Sequence, residues 1–274
     1  MSGTVIEDAR KGDLQAVKKW VEVDKWCLQA SDGGGSTACH YAGKYGHLNI
    51  LEFINTQDPD LLKLKNDGGN TAAHWAAMHG QTAVIRFMFE HDAKLLEIRD
   101  KDGFSPAHYA ALRGQEDTFN WFLQKAPKLL ELVDRDGRAP AHIVASYGHE
   151  FLLKAMLDRS RRLLEALDGI GATIAHYAAS GGRENILIFL DENNFKTMLH
   201  ATDANGSTPA HWAARGGRMV VLEYLNSKEP GLMTVTDRDG KTPKDYTWEE
   251  GCDAFLKKLE EKAGAKLGRL PSGG

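Results

Sequence analysis

Six of the eleven histidines in this 274-residue chain share one setting: STACHYAGKYG, NTAAHWAAMHG, SPAHYAALRG, RAPAHIVASYG, TIAHYAASGG and STPAHWAARGG. Each ring follows a small residue, and all but one precede an aromatic. An imidazole titrates near neutral pH and binds metals readily, so acid–base work or a metal centre is the chemistry to test.

The spacing shows what positions these rings. They are His40, His74, His108, His142, His176 and His211, separated by four intervals of 34 residues and one of 35. A step of 34 leads back to Ile6 and on to Asp245. Six residues past each anchor stands a glycine: Gly12, Gly46, Gly80, Gly114, Gly148, Gly182, Gly217 and Gly251. Five before it runs a second series from Gly35 to Gly240, and eight before it an acid or amide from Asp32 to Asp237. Each unit therefore reads as an Asp-x-x-Gly turn, a Thr or Ser cap, a short helix stopped by glycine, and a second amphipathic helix. An apolar pair such as Leu95-Leu96 then leads into the next turn.

Repetition in this register resembles the ankyrin repeat proteins, whose unit is a turn plus two antiparallel helices with a TPLHxAA signature. The resemblance covers residues 4 to 262 and implies an all-α solenoid of stacked helix-turn-helix units with β-turn fingers. About eight repeats are expected, as one domain over 1–263: an amino-terminal cap repeat at 1–31, six full repeats over 32–236 and a carboxyl-terminal cap repeat at 237–263. The caps carry polar Glu7, Asp8, Arg10 and Lys11 at one end, and Thr247-Trp248 and the 255–259 segment at the other. Residues 264–274 hold too few apolar groups to order themselves and read as a flexible tail. The 35-residue interval maps to Asp191–Phe195, a bulged loop.

Two departures from the family pattern go together. Cys39 or an alanine replaces the leucine before each histidine, and Tyr41, Trp75, Tyr109, Tyr177 and Trp212 follow it, with Ile143 the exception; Tyr246 continues the column behind Asp245. Small and large neighbours conserve core volume; an aromatic binding box is the alternative.

No chemistry survives the spacing. Stacked helices lie about 8–10 Å apart, whereas zinc–nitrogen bonds are about 2.0–2.1 Å, so successive anchors cannot share a metal. The resemblance implies instead that each histidine and the Thr or Ser before it tie a turn to its neighbours. His47, His79, His91, His149 and His200 lack HExxH or CxxC context and read as surface or second-helix residues. Gly33-Gly34-Gly35-Ser36-Thr37 lacks the lysine of a phosphate loop, and Asp100-Lys101-Asp102-Gly103 reaches Ala111 where a calcium loop needs glutamate. No nucleophile or carboxylate dyad stands out. No catalytic residue, cofactor or metal is expected.

A net charge of −4 gives no pull toward nucleic acid or anionic membrane, and no run of about 18 apolar residues encodes a transmembrane helix. Three cysteines without CxxC spacing fit a reducing, cytoplasmic setting. The expectation is a monomeric, non-enzymatic scaffold that binds another protein, with acidic and apolar features, on its concave face. An inhibitor or pathogen effector that masks an enzyme is the alternative, and an enzyme with an unrecognised site a minor one. The contact residues expected are Tyr45, Met78, His79, Leu112, Arg113 and Tyr147 at the ends of first helices, with Phe104 and Arg138 on the turns. Aromatic, methionine and arginine side chains of this kind are enriched at interfaces.

Overall fold

The computed structural model describes residues 4–247. Trp248, Gly251, the 255–259 segment and the 264–274 tail, all assigned roles above, lie outside the described residues, as does Cys252. The chain divides into two compact units, Met1–Arg135 and Asp136–Gly274.

The first unit holds four helix pairs: α1 (Val5–Lys11) and α2 (Leu14–Val23), α3 (Ala38–Tyr45) and α4 (Leu48–Gln57), α5 (Ala72–Met78) and α6 (Thr82–His91), α7 (Pro106–Arg113) and α8 (Glu116–Lys125). The second holds α9 (Pro140–Tyr147) and α10 (Glu150–Arg159), α11 (Ile174–Gly181) and α12 (Glu184–Glu192), and α13 (Pro209–Arg215) and α14 (Met219–Lys228). It continues into a 3₁₀ turn, Pro243–Tyr246. Within each unit first helices pack on first helices and second on second, in chain order. No strand occurs among the described residues apart from an isolated bridge between Ser31 and Thr37.

The predicted punctuation is where the backbone turns. Every glycine with positive φ belongs to one of the two columns: Gly12, Gly46, Gly80, Gly114, Gly148, Gly182 and Gly217 close first helices, and Gly35, Gly69, Gly103, Gly137, Gly171, Gly206 and Gly240 form turn tips. At Gly46, φ is 75° and a Cβ would fall 2.3 Å from Gln81 Oε1 of the next repeat. At Gly137 a Cβ would sit 2.3 Å from the Gly169 amide nitrogen. Handedness demands glycine at both positions, and at Gly137 the close backbone demands it as well.

Each finger is a hydrogen-bonded turn. Asp100 shows the pattern: its carbonyl accepts from Gly103 N–H at 3.2 Å, and its Oδ1 accepts from the N–H groups of Asp102 and Phe104 at 2.9 and 2.8 Å. Asp32, Asp168, Asp203 and Asp237 hold their fingers the same way. Adjacent fingers join through one backbone bond, such as Lys101 N–H to Gly68 C=O at 3.1 Å and Gly169 N–H to Asp136 C=O at 2.9 Å. The Gly33-Gly34-Gly35 segment is one of these tied fingers, with Asp32 Oδ1 accepting from Gly34 and Ser36.

Alanines fill the space between first helices; Ala107, Ala110 and Ala111 are completely buried. Larger side chains fill the layer under the second helices, where Phe119 and Phe122 are completely buried, each contributing about 2–3 kcal/mol by apolar burial. The one-residue insertion lies where the spacing places it. Helix α12 stops at Glu192, one residue short of the other second helices of its unit, and Asn193, Asn194 and Phe195 precede the 3₁₀ turn Lys196–Leu199. Asn194 is the only non-glycine residue with positive φ among the described residues, at 63°. Phe195 is buried, with the Arg161 guanidinium 3.7 Å from its ring centroid.

Candidate protein-binding surface

The anchor histidines are fully buried, and their bonds fix both the tautomer and the role. His74 Nδ1 accepts from Thr71 N–H at 3.0 Å, and its Nε2 lies 3.0 Å from the Phe104 carbonyl oxygen. An amide only donates and a carbonyl only accepts, so the proton sits on Nε2 and the ring is neutral. The Thr71 hydroxyl, 2.9 Å from Nδ1, completes a cap on α5. The same bridge runs from His40 to Asn70 C=O (2.9 Å), His142 to Ala172 (3.3 Å), His176 to Ser207 (3.0 Å) and His211 to Lys241 (3.0 Å). Burial lowers the pKa values of His40, His176 and His211, and pushes His74 down to about 4. At the equivalent place Asp245 caps Thr242 N–H and hydroxyl at 2.7 and 2.8 Å, but a carboxylate has no proton to pass onward.

The aromatic column does more than conserve volume. Each ring meets the preceding repeat's histidine edge-on: Trp75 on His40 at 5.7 Å, Tyr109 on His74 at 5.7 Å, Tyr177 on His142 at 5.1 Å and Trp212 on His176 at 5.4 Å. Its polar tip reaches its own finger. Tyr41, Tyr109 and Tyr177 donate to Asp32, Asp100 and Asp168 at 2.7, 2.7 and 2.6 Å, and Trp212 Nε1 to Asp203 at 3.0 Å. Burial and Asp100 together push the Tyr109 phenol up to about 12. These four rings tie finger to helix, a scaffold role beyond core volume. The signal was in the sequence: acid and aromatic stand a constant nine residues apart.

A second column escaped the sequence reading. In five repeats the residue after the helix-stop glycine carries an N–H donor that caps the preceding repeat's first helix. His47 Nε2 bonds Arg10 C=O at 3.0 Å, Gln81 bonds Lys44 at 3.2 Å, Gln115 bonds Met78 at 2.9 Å, Arg183 bonds Ser146 at 3.0 Å and Arg218 bonds Ser180 at 2.8 Å. His47 is therefore a helix cap rather than a spare surface ring. The recurrence of side chains with an N–H donor at that position was the available clue.

Helix-end carbonyls are thus consumed, while the side chains there point away from the core. In the first unit Tyr45 is 43% exposed, Arg113 and His79 are exposed, and Met78 and Leu112 are half-buried. The Lys44 ammonium lies 5.4 Å from the Tyr45 ring centroid, and His79 Nδ1 bonds Trp75 C=O at 2.9 Å. Phe104 is half-buried and stacked on His108 at 5.3 Å, so much of its ring serves the scaffold. In the second unit Tyr147 is 48% exposed and stacks on His149 at 6.3 Å, while Arg138 pairs with Asp136 at 3.2 Å.

A family profile described as Ankyrin repeats (3 copies) matches residues 6–97, 54–131 and 108–201. The chain is a member of the ankyrin-repeat family. Ankyrin repeats generally mediate protein–protein interaction, and the family is typically non-enzymatic. A search of curated proteins finds none that matches. Among the described residues of this ankyrin-repeat chain, no cluster of three His, Cys, Asp or Glu side chains could hold a metal ion, and no helix is long and apolar enough to cross a membrane. His91 bonds Phe87 C=O at 2.9 Å within α6, and His200 faces Glu229 at 2.8 Å.

Proposed function

We propose that the protein is a monomeric scaffold that binds another protein through the outward side chains at its first-helix ends and fingers, the concave face of the ankyrin pattern. Tyr45, Met78, His79, Phe104, Leu112 and Arg113 serve in the first unit, and Arg138 and Tyr147 in the second. The observation that carries this reading is the exposure of Tyr45 and Tyr147, at 43% and 48%, on helices otherwise largely buried. Both rings are held by neighbouring rings, His47 and His149, so little side-chain entropy is lost when a partner covers them. Arg113 and Lys44 favour a partner with carboxylates beside apolar groups. A reducing cytoplasmic setting belongs to the same reading.

Affinity for a partner recovered from native lysate tests the reading. Tyr45→Ala and Tyr147→Ala are each expected to weaken binding at least about tenfold, with unchanged melting. Full retention by both variants overturns it. Loss of the captured partner's own activity distinguishes masking from tethering.

A further inference from the structure

A cavity of about 420 Å³ opens on the other helix layer of the first unit, lined by Arg86, Phe89 and Glu90 of α6 and by Trp121 and Lys125 of α8. Spacings of three and four residues bring each set onto one helix face. Phe89 and Trp121 meet edge-to-face at 5.3 Å and 79°, forming an apolar floor. Trp121 is only 8% exposed, and its indole N–H, which is not among the fully buried unpartnered atoms, makes no hydrogen bond among the described residues and stays within reach of solvent or a ligand. Arg86 and Lys125 are exposed, and neither pairs with a carboxylate among the described residues.

These features specify an occupant. Guanidinium, ammonium and indole N–H are all donors, so the group they receive is an anionic oxygen acceptor. The floor takes an apolar or aromatic body. The volume falls within the range of about 300–1,000 Å³ usual for ligand sites. Three of the five lining side chains are exposed, so the cavity is open and admits a side chain protruding from a larger molecule. Glu90 adds one negative charge at the rim, where it orients the segment by repelling its carboxylates toward Arg86 and Lys125.

We propose that this cavity docks an acidic segment of a partner protein, with one apolar side chain against Phe89 and Trp121 and a flanking carboxylate on Arg86, Lys125 and the Trp121 N–H. The site lies on second helices and is independent of the first-helix surface proposed above.

The test uses the full chain, ¹⁵N-labelled, with the Trp121 indole resonance assigned by its loss in Trp121→Phe. The probe is the blocked peptide acetyl-Asp-Glu-Phe-Glu-Asp-amide. The expected result is a saturable shift of that resonance, weakened at least about tenfold in the double variant Arg86→Glu, Lys125→Glu and by replacing the peptide's phenylalanine with alanine. Tyr45→Ala leaves this binding unchanged, which separates its failure from failure of the first-helix reading. Absence of a shift at about millimolar peptide, or equal binding by the double variant, overturns the proposal. So does a shift produced by phenylacetate but not by the peptide, which would make the cavity a small-molecule site.

Discussion

The joints built on His74 and His142 do the same work with different parts. Thr71 offers His74 both an N–H at 3.0 Å and a hydroxyl at 2.9 Å, whereas Ala139 offers His142 its N–H alone, at 3.1 Å. The outgoing bond is 3.0 Å to Phe104 in the first case and 3.3 Å to Ala172 in the second. The residue after the ring also differs: Trp75 packs edge-on to His40, while Ile143 is a buried aliphatic. What persists is a neutral ring that accepts from its own helix start and donates to the next finger. The hydroxyl is a supplement, and the two nitrogens are the device.

The largest effect that sharpens this comparison is removal of the ring. His74→Ala leaves the Thr71 N–H and Phe104 C=O unsatisfied inside a vacated space, at a cost of roughly 2–4 kcal/mol. His142→Ala costs less by about 1 kcal/mol, because its outgoing bond is longer and no hydroxyl is stranded. Urea unfolding of both variants checks the order, and equal losses would dissolve the distinction. A smaller effect comes from restoring the missing part. Ala139→Thr supplies the cap that five other first helices carry and is expected to gain about 0.5–1 kcal/mol in the same measurement. A loss would show that the site of Ala139, 4% exposed, has no room for the added atoms.

Most of the scaffold was legible because each signal recurs in register. One glycine six residues past a histidine is weak, but seven turned into positive φ follow from the same arithmetic. The spacing of the histidines excluded a shared metal, and their structural role followed from the family resemblance. The partners were harder to see, since His74 bonds a carbonyl 30 residues away and backbone groups leave no trace in residue types. The aromatic column was half-read: volume suggested core, but the hydrogen bond from Tyr109 to Asp100 needed the finger folded beside the helix. The donor column was missed because His47, Gln81 and Arg183 share only an N–H group. The binding surface was legible only as positions left over, because variable side chains repeat nothing. The cavity between α6 and α8 was not legible at all, since Arg86 and Trp121 belong to different repeats.

The account rests most heavily on the anchor histidines being neutral, with the proton on Nε2. Burial lowers the folded pKa of His74 to about 4, below the unfolded value near 6.5. The unfolded chain therefore binds more protons between these values. The stabilisation is fully present above about pH 6.5 and is lost as pH falls toward about 4, by roughly 3 kcal/mol for this residue. Nitrogen-15 NMR of the imidazole rings through an acid titration reads both features at once. The account predicts that His74 holds the Nε2–H tautomer and stays neutral down to about pH 4, with global stability falling across that window. Titration of His74 near 6.5, or a proton on Nδ1, would contradict it.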